Sequence, residues 1–444
     1  MHSIPMSGVL SGLSAALDIT EGHPRGHAAR SCLVGMHLAA ALGLPAQESS
    51  DLFYALLLKD AGCSSNADRV FQLFGGPEHA TKRAVWMRDW RRLSEQVRYA
   101  VEVAEPGGSL AARLWRLSAL AVAGPAAGRE LFQIRCERGA EIARELGFRE
   151  ATARAVHTMD EHWDGGGHPQ GIRGHDIPLA GRIIGLAQVV EIFWGLGGPA
   201  HALEIVRARR GRWFDPELVD CLAATASPAL WAQLEAPDLT AAVEAAEPAG
   251  LVVRATEERL DRIATAFAWV IDAKSSYTFQ HSERVADIAV AIARALGWTS
   301  AEQVRLRRAG LLHDIGKLAV PNSILDKQGP LTDGEWAVVR DHPFHTHQIL
   351  ERVPLFREFA DDASNHHERL DGRGYFRGLT GPALSPAARV LAVADVIDAL
   401  QSDRPYRKAL PVEEVLRVLD EERGTGLCGD AVEAAGAVLA DLAA

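Results

Sequence analysis

The sequence has few cysteines, no excess of positive charge and no long uninterrupted apolar run. Its 444 residues include 5 cysteines, scattered without a Cys-x-x-Cys spacing, which indicates neither a disulfide framework nor a zinc finger. The formal net charge is -11, whereas nucleic acids and anionic membranes are held chiefly by Lys and Arg. We therefore expect no nucleic-acid or membrane partner. Unpaired thiols are typical of a reducing compartment, so we expect a cytoplasmic protein.

The longest apolar stretch, IIGLAQVVEIFWGLGG from Ile183, is interrupted by Gln188 and Glu191. A membrane-spanning helix needs about 20 predominantly apolar residues. The N-terminus carries Asp18 and Glu21 and lacks the basic segment that precedes the apolar part of a signal peptide. The sequence predicts neither a membrane span nor a signal peptide.

Helical periodicity dominates, and strand-like alternation is nearly absent. In HSERVADIAVAIARALGW the apolar residues Val285, Ala289 and Ile292 recur at helical spacing. With 48% hydrophobic and 24% charged residues, the chain is long enough for two or three globular cores. We predict an all-α protein.

Two parts of the chain resemble each other. GHAARSCLVGMHLAAALGL aligns with QHSERVADIAVAIARALGW at an offset of 254 residues, which places His27 on His281, and the same offset places LLLKDAGC on GLLHDIGK. Later blocks align at an offset of 207, so the first part has 47 additional residues (254 - 207), which include WMRDWRRL. A repeat of this kind predicts tandem helical domains, which we place at 1–240 and 258–444, with an Ala-rich, acidic linker at 241–257.

The second part holds side chains of metal-ligand type within apolar segments: His281, His313, Asp314, His342, His366, His367 and Asp395. An unpaired carboxylate would be costly to bury in ARVLAVADVIDAL, and a cation would compensate the charge of Asp395. The adjacent His313 and Asp314 can offer a nitrogen to one ion and a carboxylate that bridges two. Five imidazoles favour iron, manganese, zinc or nickel over calcium or magnesium. The set predicts a centre of two divalent metal ions.

Single pieces of this pattern carry less weight than the whole. We expect His175 and Asp176 to form an exposed pair in a loop, and His345 and His347 to be exposed and not ligands. The histidine pair that starts at His366 would, taken alone, equally suit a helix end where it caps carbonyl groups. The conjunction of seven residues in a fixed order favours the metal centre.

The ordered motifs HDIGK, HP, HHERLDGRGY, VADVIDAL and DRPYRKAL resemble those of the HD-GYP family, within the HD superfamily of metal-dependent phosphohydrolases. The resemblance covers roughly residues 258–440. It implies an HD-type helical domain in which the seven residues are the ligands of a bimetallic site, often with iron or manganese. Some family members bind a third ion through a Glu four residues before the first histidine, where this chain has Tyr277.

The resemblance further implies a phosphodiesterase that opens cyclic di-GMP to linear pGpG and often cleaves it on to GMP. Asp314 and Lys317 would be catalytic, and Lys317, Arg404 and Arg407 would contact the phosphates or the guanine bases of the substrate. The alternatives are an ordinary surface lysine for Lys317 and a solvated helix start for the two arginines. For the whole protein, the alternatives are a phosphohydrolase that acts on another nucleotide and a non-catalytic signalling adaptor.

The first copy has lost most of the ligand set. It has Lys59, Arg135, Met159, Asp160 and Gln188 where the second copy has His313, His342, His366, His367 and Asp395. Two cations cannot be held by what remains, so we predict a degenerate HD-like copy with a regulatory or dimerisation role. Lys59 and Arg135 would pair with Asp60 or Asp160, or accept a small anion.

The resemblance implies the cyclic dinucleotide as a partner and, at the GYP loop (Asp371 to Phe376), diguanylate cyclase (GGDEF) domains. A homodimer with a second copy of the chain is a further expectation. Phe376 stands where the family carries proline. Losing proline frees the φ angle and restores an N–H group. The substitution therefore bears on the partner role of the loop and leaves the ligand set intact.

Overall fold

The backbone is built from α-helices. The computed structural model describes residues 5–88, 92–275, 278, 280–327, 329–403 and 408–443. Within these ranges the chain forms 22 α-helices and four short 3-10 helices, and its extended pairings are isolated bridges only. The prediction of an all-α fold is confirmed.

The chain divides into two units, residues 1–259 and 260–444. The helices of unit 1 are α1 (Met6–Thr20), α2 (His27–Ala41), α3 (Ala46–Leu58), α4 (Ala67–Phe74), α5 (Glu78–Trp86), α6 (Leu93–Val103), α7 (Leu110–Glu145), α8 (Glu150–His157), α9 (Leu179–Ala208), α10 (Pro216–Thr225), α11 (Pro228–Leu234) and α12 (Leu239–Ala246). Non-helical backbone angles interrupt α7 at Gly124 and α9 at Gly197 and Gly198. In the core of the unit, α2 packs against α3 and α9, and α8 packs against α3, α7 and α9.

Unit 2 has an equivalent core. Its helices are α13 (Glu257–Asp272), which begins just before the boundary, α14 (His281–Ala295), α15 (Ser300–Leu312), α16 (Asn322–Leu325), α17 (Asp333–Arg340), α18 (His342–Leu350), α19 (Arg357–Ser364), α20 (Pro386–Gln401), α21 (Val412–Glu421) and α22 (Gly429–Ala443). Here α14 packs against α15 and α20, and α19 packs against α15, α18 and α20. The helices α2, α3, α8 and α9 thus correspond to α14, α15, α19 and α20, and the starts of these pairs repeat the offsets of 254 and 207 residues.

A glycine fixes the same close approach in both units. A Cβ atom on Gly62 would lie 1.9 Å from the carbonyl oxygen of Arg135, and one on Gly316 would lie 1.9 Å from that of His342. Only glycine admits another backbone so close. The helix that carries Arg135 in unit 1 therefore corresponds to the helix that carries His342 in unit 2.

The segment predicted as a linker, 241–257, is packed within unit 1. Helix α12 lies against α1 and α2, with Val243 fully buried. Glu247 accepts hydrogen bonds from the hydroxyl groups of Ser7 and Tyr54. The division between the units thus follows this segment, at 259, because the Ala-rich segment buries an apolar face and anchors its end by hydrogen bonds.

Helix α9 contains the apolar stretch that starts at Ile183. By length and composition alone it could cross a membrane, since its most apolar window has a mean hydropathy of 1.5. However, 67% of that window is buried inside unit 1, and the helix is interrupted at Gly197 and Gly198. Burial of this kind is typical of the core helix of a globular domain.

Candidate metal centre

Helix ends bring the seven predicted ligands together in unit 2. His281 and His342 begin α14 and α18, His313 and Asp314 follow α15, His366 and His367 follow α19, and Asp395 lies within α20. All are buried except His367, whose side chain is 25% exposed. The cluster is therefore nearly closed to solvent and opens on the side of His367.

The ligand atoms form two groups of three. His281, His313 and Asp395 make one group, and His342, His366 and His367 make the other. Within each group the nitrogen and oxygen atoms lie within 4.8 Å of one another. Three such ligands are enough to anchor one divalent ion and leave open positions for water or substrate.

Asp314 lies between the two groups. Its Oδ1 atom is 3.2 Å from Nε2 of His342 and 3.7 Å from Nε2 of His366. Its Oδ2 atom is 3.3 Å from Nε2 of His281 and 3.4 Å from Nε2 of His313. Each oxygen thus faces a different group, which is the arrangement of a carboxylate that bridges two ions.

Backbone carbonyl groups set the tautomer of three imidazoles. Nδ1 of His313, His342 and His366 donates to the carbonyl oxygen three residues earlier in the chain, at 2.7, 2.7 and 2.6 Å. Because a carbonyl oxygen only accepts, Nδ1 carries the proton and Nε2 presents a lone pair to the site. Burial lowers the pKa of His366 well below its usual value and that of His367 to about 3, so both rings are neutral and able to bind a metal.

Several buried polar atoms of the centre make no hydrogen bond within the described part of the chain, although they lie near oppositely charged groups. They are Nε2 of His281, Nε2 of His313 and Oδ1 of Asp314. Buried polar atoms are nearly always hydrogen-bonded, because leaving them unpaired is costly. Divalent cations would satisfy all three atoms, so the side chains fit the two-metal centre that the sequence predicts.

Lys317 lies beside the bridging carboxylate. Helix α15 ends at Leu312, and Lys317 belongs to a separate 3-10 helix, Ile315–Ala319. The Lys317 ammonium group contacts Oδ2 of Asp314, and its side chain is 20% exposed. A cation at this position can reach a substrate phosphate.

Three other positions named from the sequence, Arg404, Arg407 and Tyr277, lie outside the described residues. Of the three histidines expected to be exposed, only His175 is, since His345 and His347 are both partly buried. His175 is exposed, and His347 is partly buried, with Nε2 at 3.1 Å from Asp361, so neither is part of the metal centre.

Asp398 is a functional residue that sequence reasoning missed. It accepts a hydrogen bond of 2.6 Å from Nδ1 of His281 and also pairs with Arg284. A carboxylate in this position orients a ligand imidazole and raises its basicity. The repeat contained the signal, since Glu191 stands 207 residues earlier and pairs with His27 and Arg30 in the same way.

The GYP loop covers the exposed ligand. The ring of Tyr375 lies 4.6 Å from that of His367, at an interplanar angle of 30°. Phe376 has a φ angle of 98°, which proline cannot adopt because its ring holds φ near -65°. The loop therefore takes a conformation that the proline of the family pattern would exclude, and the Phe376 ring faces Phe344 at 6.1 Å.

Ion pairs fill the equivalent place in unit 1. Lys59 pairs with Asp60, and Arg135 lies 3.1 Å from Asp160, as predicted. Arg135 also lies 3.2 Å from Glu21. Buried charges compensate one another here without a metal.

Two residues of this network, Glu21 and Lys82, were not predicted, and they lie 3.1 Å apart. Glu21, Asp60 and Cys63 are close enough together to hold a metal ion. The two carboxylates, however, already have cationic partners in Lys82, Arg135 and Lys59. The charge that would attract a cation is therefore already neutralised.

Comparison with known proteins finds relatives of one kind. The chain matches the family profile described as HD domain over residues 125–218 and 266–431. It is 42% identical over 427 residues to the 3'3'-cGAMP-specific phosphodiesterase 3 of Vibrio cholerae serotype O1, covering 96% of this chain and 93% of the relative. It is 43% identical over 149 residues to the cyclic di-GMP phosphodiesterase PA4108 of Pseudomonas aeruginosa, covering 33% of this chain and 36% of the relative.

A solved structure of a cyclic dinucleotide phosphodiesterase is also similar to this chain. The crystal structure of a cyclic GMP-AMP specific phosphodiesterase of V. cholerae, V-cGAP3, matches with a TM-score of 0.67 and 38% sequence identity. The match covers 99% of this chain and 98% of that one. The likeness thus extends over both units.

Proposed function

Because the chain belongs to the HD-GYP family of HD-domain proteins, we propose that it is a metal-dependent phosphodiesterase that hydrolyses 3'3'-cGAMP. The observation that carries the proposal is the position of Asp314 between two groups of three ligands. A non-catalytic adaptor would have no need for a buried carboxylate with each oxygen directed at a different set of imidazoles. The relatives with which it is compared are cyclic dinucleotide phosphodiesterases.

We propose that one ion is held by His281, His313 and Asp395 and the other by His342, His366 and His367, with Asp314 shared. Iron and manganese are the proposed metals, since imidazole and carboxylate ligands together suit them. When bound, such a pair of ions lowers the pKa of water and neutralises charge on phosphoryl oxygens.

The protein's own groups prepare the site for a phosphodiester. The carbonyl contacts to Nδ1 hold three ligand rings in one orientation before any ion binds, which lowers the entropic cost of assembling the centre. The Lys317 ammonium group adds a positive charge next to Asp314, where it can pair with a substrate phosphate. Tyr375 restricts the ring of His367, the ligand nearest to solvent.

Two cyclic dinucleotides compete as the substrate. The sequence motifs led us to expect cyclic di-GMP. The relative that is similar over 96% of this chain is specific for 3'3'-cGAMP, whereas the similarity to the P. aeruginosa cyclic di-GMP enzyme covers 33% of it. We therefore place 3'3'-cGAMP first and cyclic di-GMP second.

A direct test compares the two substrates. The purified protein, loaded with Mn²⁺ or anaerobically with Fe²⁺, is incubated separately with each cyclic dinucleotide, and linear dinucleotides and mononucleotides are separated by chromatography. We expect faster turnover of 3'3'-cGAMP. Faster turnover of cyclic di-GMP would reverse the substrate assignment, and no turnover of either by protein with two bound ions would refute the proposed activity.

A further inference from the structure

Unit 1 contains a cavity of about 890 Å³ in the place where unit 2 has its metal centre. Four residues that line it, Arg135, Met159, Asp160 and Gln188, stand at positions that hold metal ligands in the second copy. Ligand pockets in proteins typically measure about 300–1,000 Å³. The loss of the ligands has thus left a space large enough for a small molecule.

The walls of the cavity come largely from the additional residues of the first copy. Helices α4 to α7 contribute most of the apolar wall, which includes the aromatic rings of Phe74, Trp86, Tyr99 and Phe132, and Trp213 closes another side. An apolar, aromatic wall favours an apolar ligand. The insertion therefore supplies a lining that unit 2 lacks.

Four charged residues that line the floor of the cavity, Glu21, Lys82, Arg135 and Asp160, are already paired, whereas Arg129, also in the lining, is exposed. Arg135 contacts both Asp160 and Glu21, and Lys82 contacts Glu21. Burial opposes ionisation of Glu21, but the charges of Lys82 and Arg135 lower its pKa below the usual range, so the pairs are ionised. A charged ligand would have to break these pairs in a poorly solvated place, which is costly. The floor thus disfavours a small anion, one of the expectations from the sequence.

Neutral polar groups remain available on the wall, among them Gln188 and the Oδ1 atom of Asn66, which makes no hydrogen bond within the described residues. Gln188 is 2% exposed, lines the cavity and makes no side-chain hydrogen bond to any residue in the described part of the chain. As part of the lining, its carboxamide can form a hydrogen bond to a molecule in the cavity. A ligand with one hydroxyl, carbonyl or amide group would satisfy it.

From these observations we propose that the cavity of unit 1 binds a small, largely apolar molecule that carries a single uncharged hydrogen-bonding group, held by Gln188. The degenerate copy is then a small-molecule binding domain whose ligand occupies the place of the lost metal centre.

The test uses the full-length protein and the neutral fluorescent probe N-phenyl-1-naphthylamine. We expect saturable binding of one probe per chain. Gly128 lies on the cavity wall, and a Cβ atom there would meet no atom within 4 Å, so Gly128→Phe should fill free space and weaken binding by about tenfold or more. Ala126→Phe is the matched control, because Ala126 is exposed on the same helix and outside the lining.

Equal probe binding by Gly128→Phe and Ala126→Phe would overturn the proposal, as would the absence of saturable binding. Thermal unfolding without the probe shows whether both variants fold.

The head group of the ligand is tested separately by displacement of the probe with 1-decanol and with decanoate. We expect 1-decanol to displace the probe better than decanoate does. Gln188→Leu should lower the affinity for 1-decanol by about fivefold, the effect of losing one neutral hydrogen bond. Stronger displacement by decanoate, or no effect of Gln188→Leu, would refute the uncharged head group.

Discussion

The two units surround buried carboxylates with corresponding helices but compensate the negative charge in different ways. In unit 2 the carboxylates of Asp314 and Asp395 face imidazole nitrogens, and in the proposed centre two bound ions would compensate the negative charge. In unit 1 the chain supplies the positive charge itself, through Lys59 and Arg135. The difference shows that this helical arrangement tolerates either solution, as long as the buried charge is compensated.

The largest expected effect comes from removing the bridging carboxylate. Asp314→Ala should lower the metal content below two ions per chain and reduce turnover by on the order of 10³-fold or more, because both ions lose a shared ligand. Metal analysis and the chromatographic assay measure the two effects. The equivalent change in unit 1, Asp60→Ala, should leave the metal content unchanged, and a loss of metal from that variant would contradict the division of roles between the units.

Breaking the ion pairs of unit 1 should affect stability and not metal binding. Arg135→Met removes the partner of Asp160 and one partner of Glu21. Leaving buried charges uncompensated typically costs about 3–5 kcal/mol. Urea unfolding should show this loss, while Arg135→Lys, which keeps the charge, should retain more of the stability. An unchanged free energy of unfolding in Arg135→Met would mean that these ion pairs do not contribute to stability.

Replacing Lys317 should distinguish an effect on transition-state stabilisation from an effect on metal binding. Lys317→Met should keep both ions, since a protonated ammonium group has no lone pair to offer a metal, and should lower kcat/KM by about 10²-fold through the loss of one charged donor. Steady-state kinetics together with metal analysis test this. Wild-type kinetics would assign Lys317 to the surface, the alternative left open by the sequence.

The smallest expected effect concerns the carboxylates that orient the first histidine of each unit. Asp398→Asn should weaken metal binding by about 10- to 100-fold, the usual effect of removing a group that holds a ligand ring. Its counterpart, Glu191→Gln, should leave metal binding unchanged, because His27 belongs to no metal group among the described residues. Competition with a chelator measures both variants, and equal affinities in Asp398→Asn and the wild type would remove Asp398 from the centre.

The helical fold and the convergence of the seven residues were predictable because both depend on patterns that are local or ordered along the chain. Apolar spacing predicts helices, and the repeat placed Arg135 on His342, which the shared glycine contact supports. The contacts of Asp398 were missed because an acid three residues after Asp395 looks like any other polar residue until the fold brings His281 next to it.

Tertiary packing decided the features that the sequence did not reveal. The segment 241–257 looked like a linker because its composition is Ala-rich and acidic, yet its few apolar side chains suffice to dock it. The cavity of unit 1 depends on how the additional residues pack over the positions that correspond to the ligands of unit 2. No local sequence pattern predicts that packing. The φ angle of Phe376 was equally hidden, since phenylalanine rarely adopts positive values.

Gly316 has a role in setting distances. It stands two residues after Asp314, and the carbonyl oxygen that its missing Cβ would strike belongs to His342, a ligand of the other group. Any larger residue would force α18 away by roughly 1 Å before normal contact is restored. The missing side chain of Gly316 thus keeps the two ligand groups close enough for one carboxylate to lie between them. Gly62 keeps the same close approach in unit 1, where Arg135 stands in place of His342.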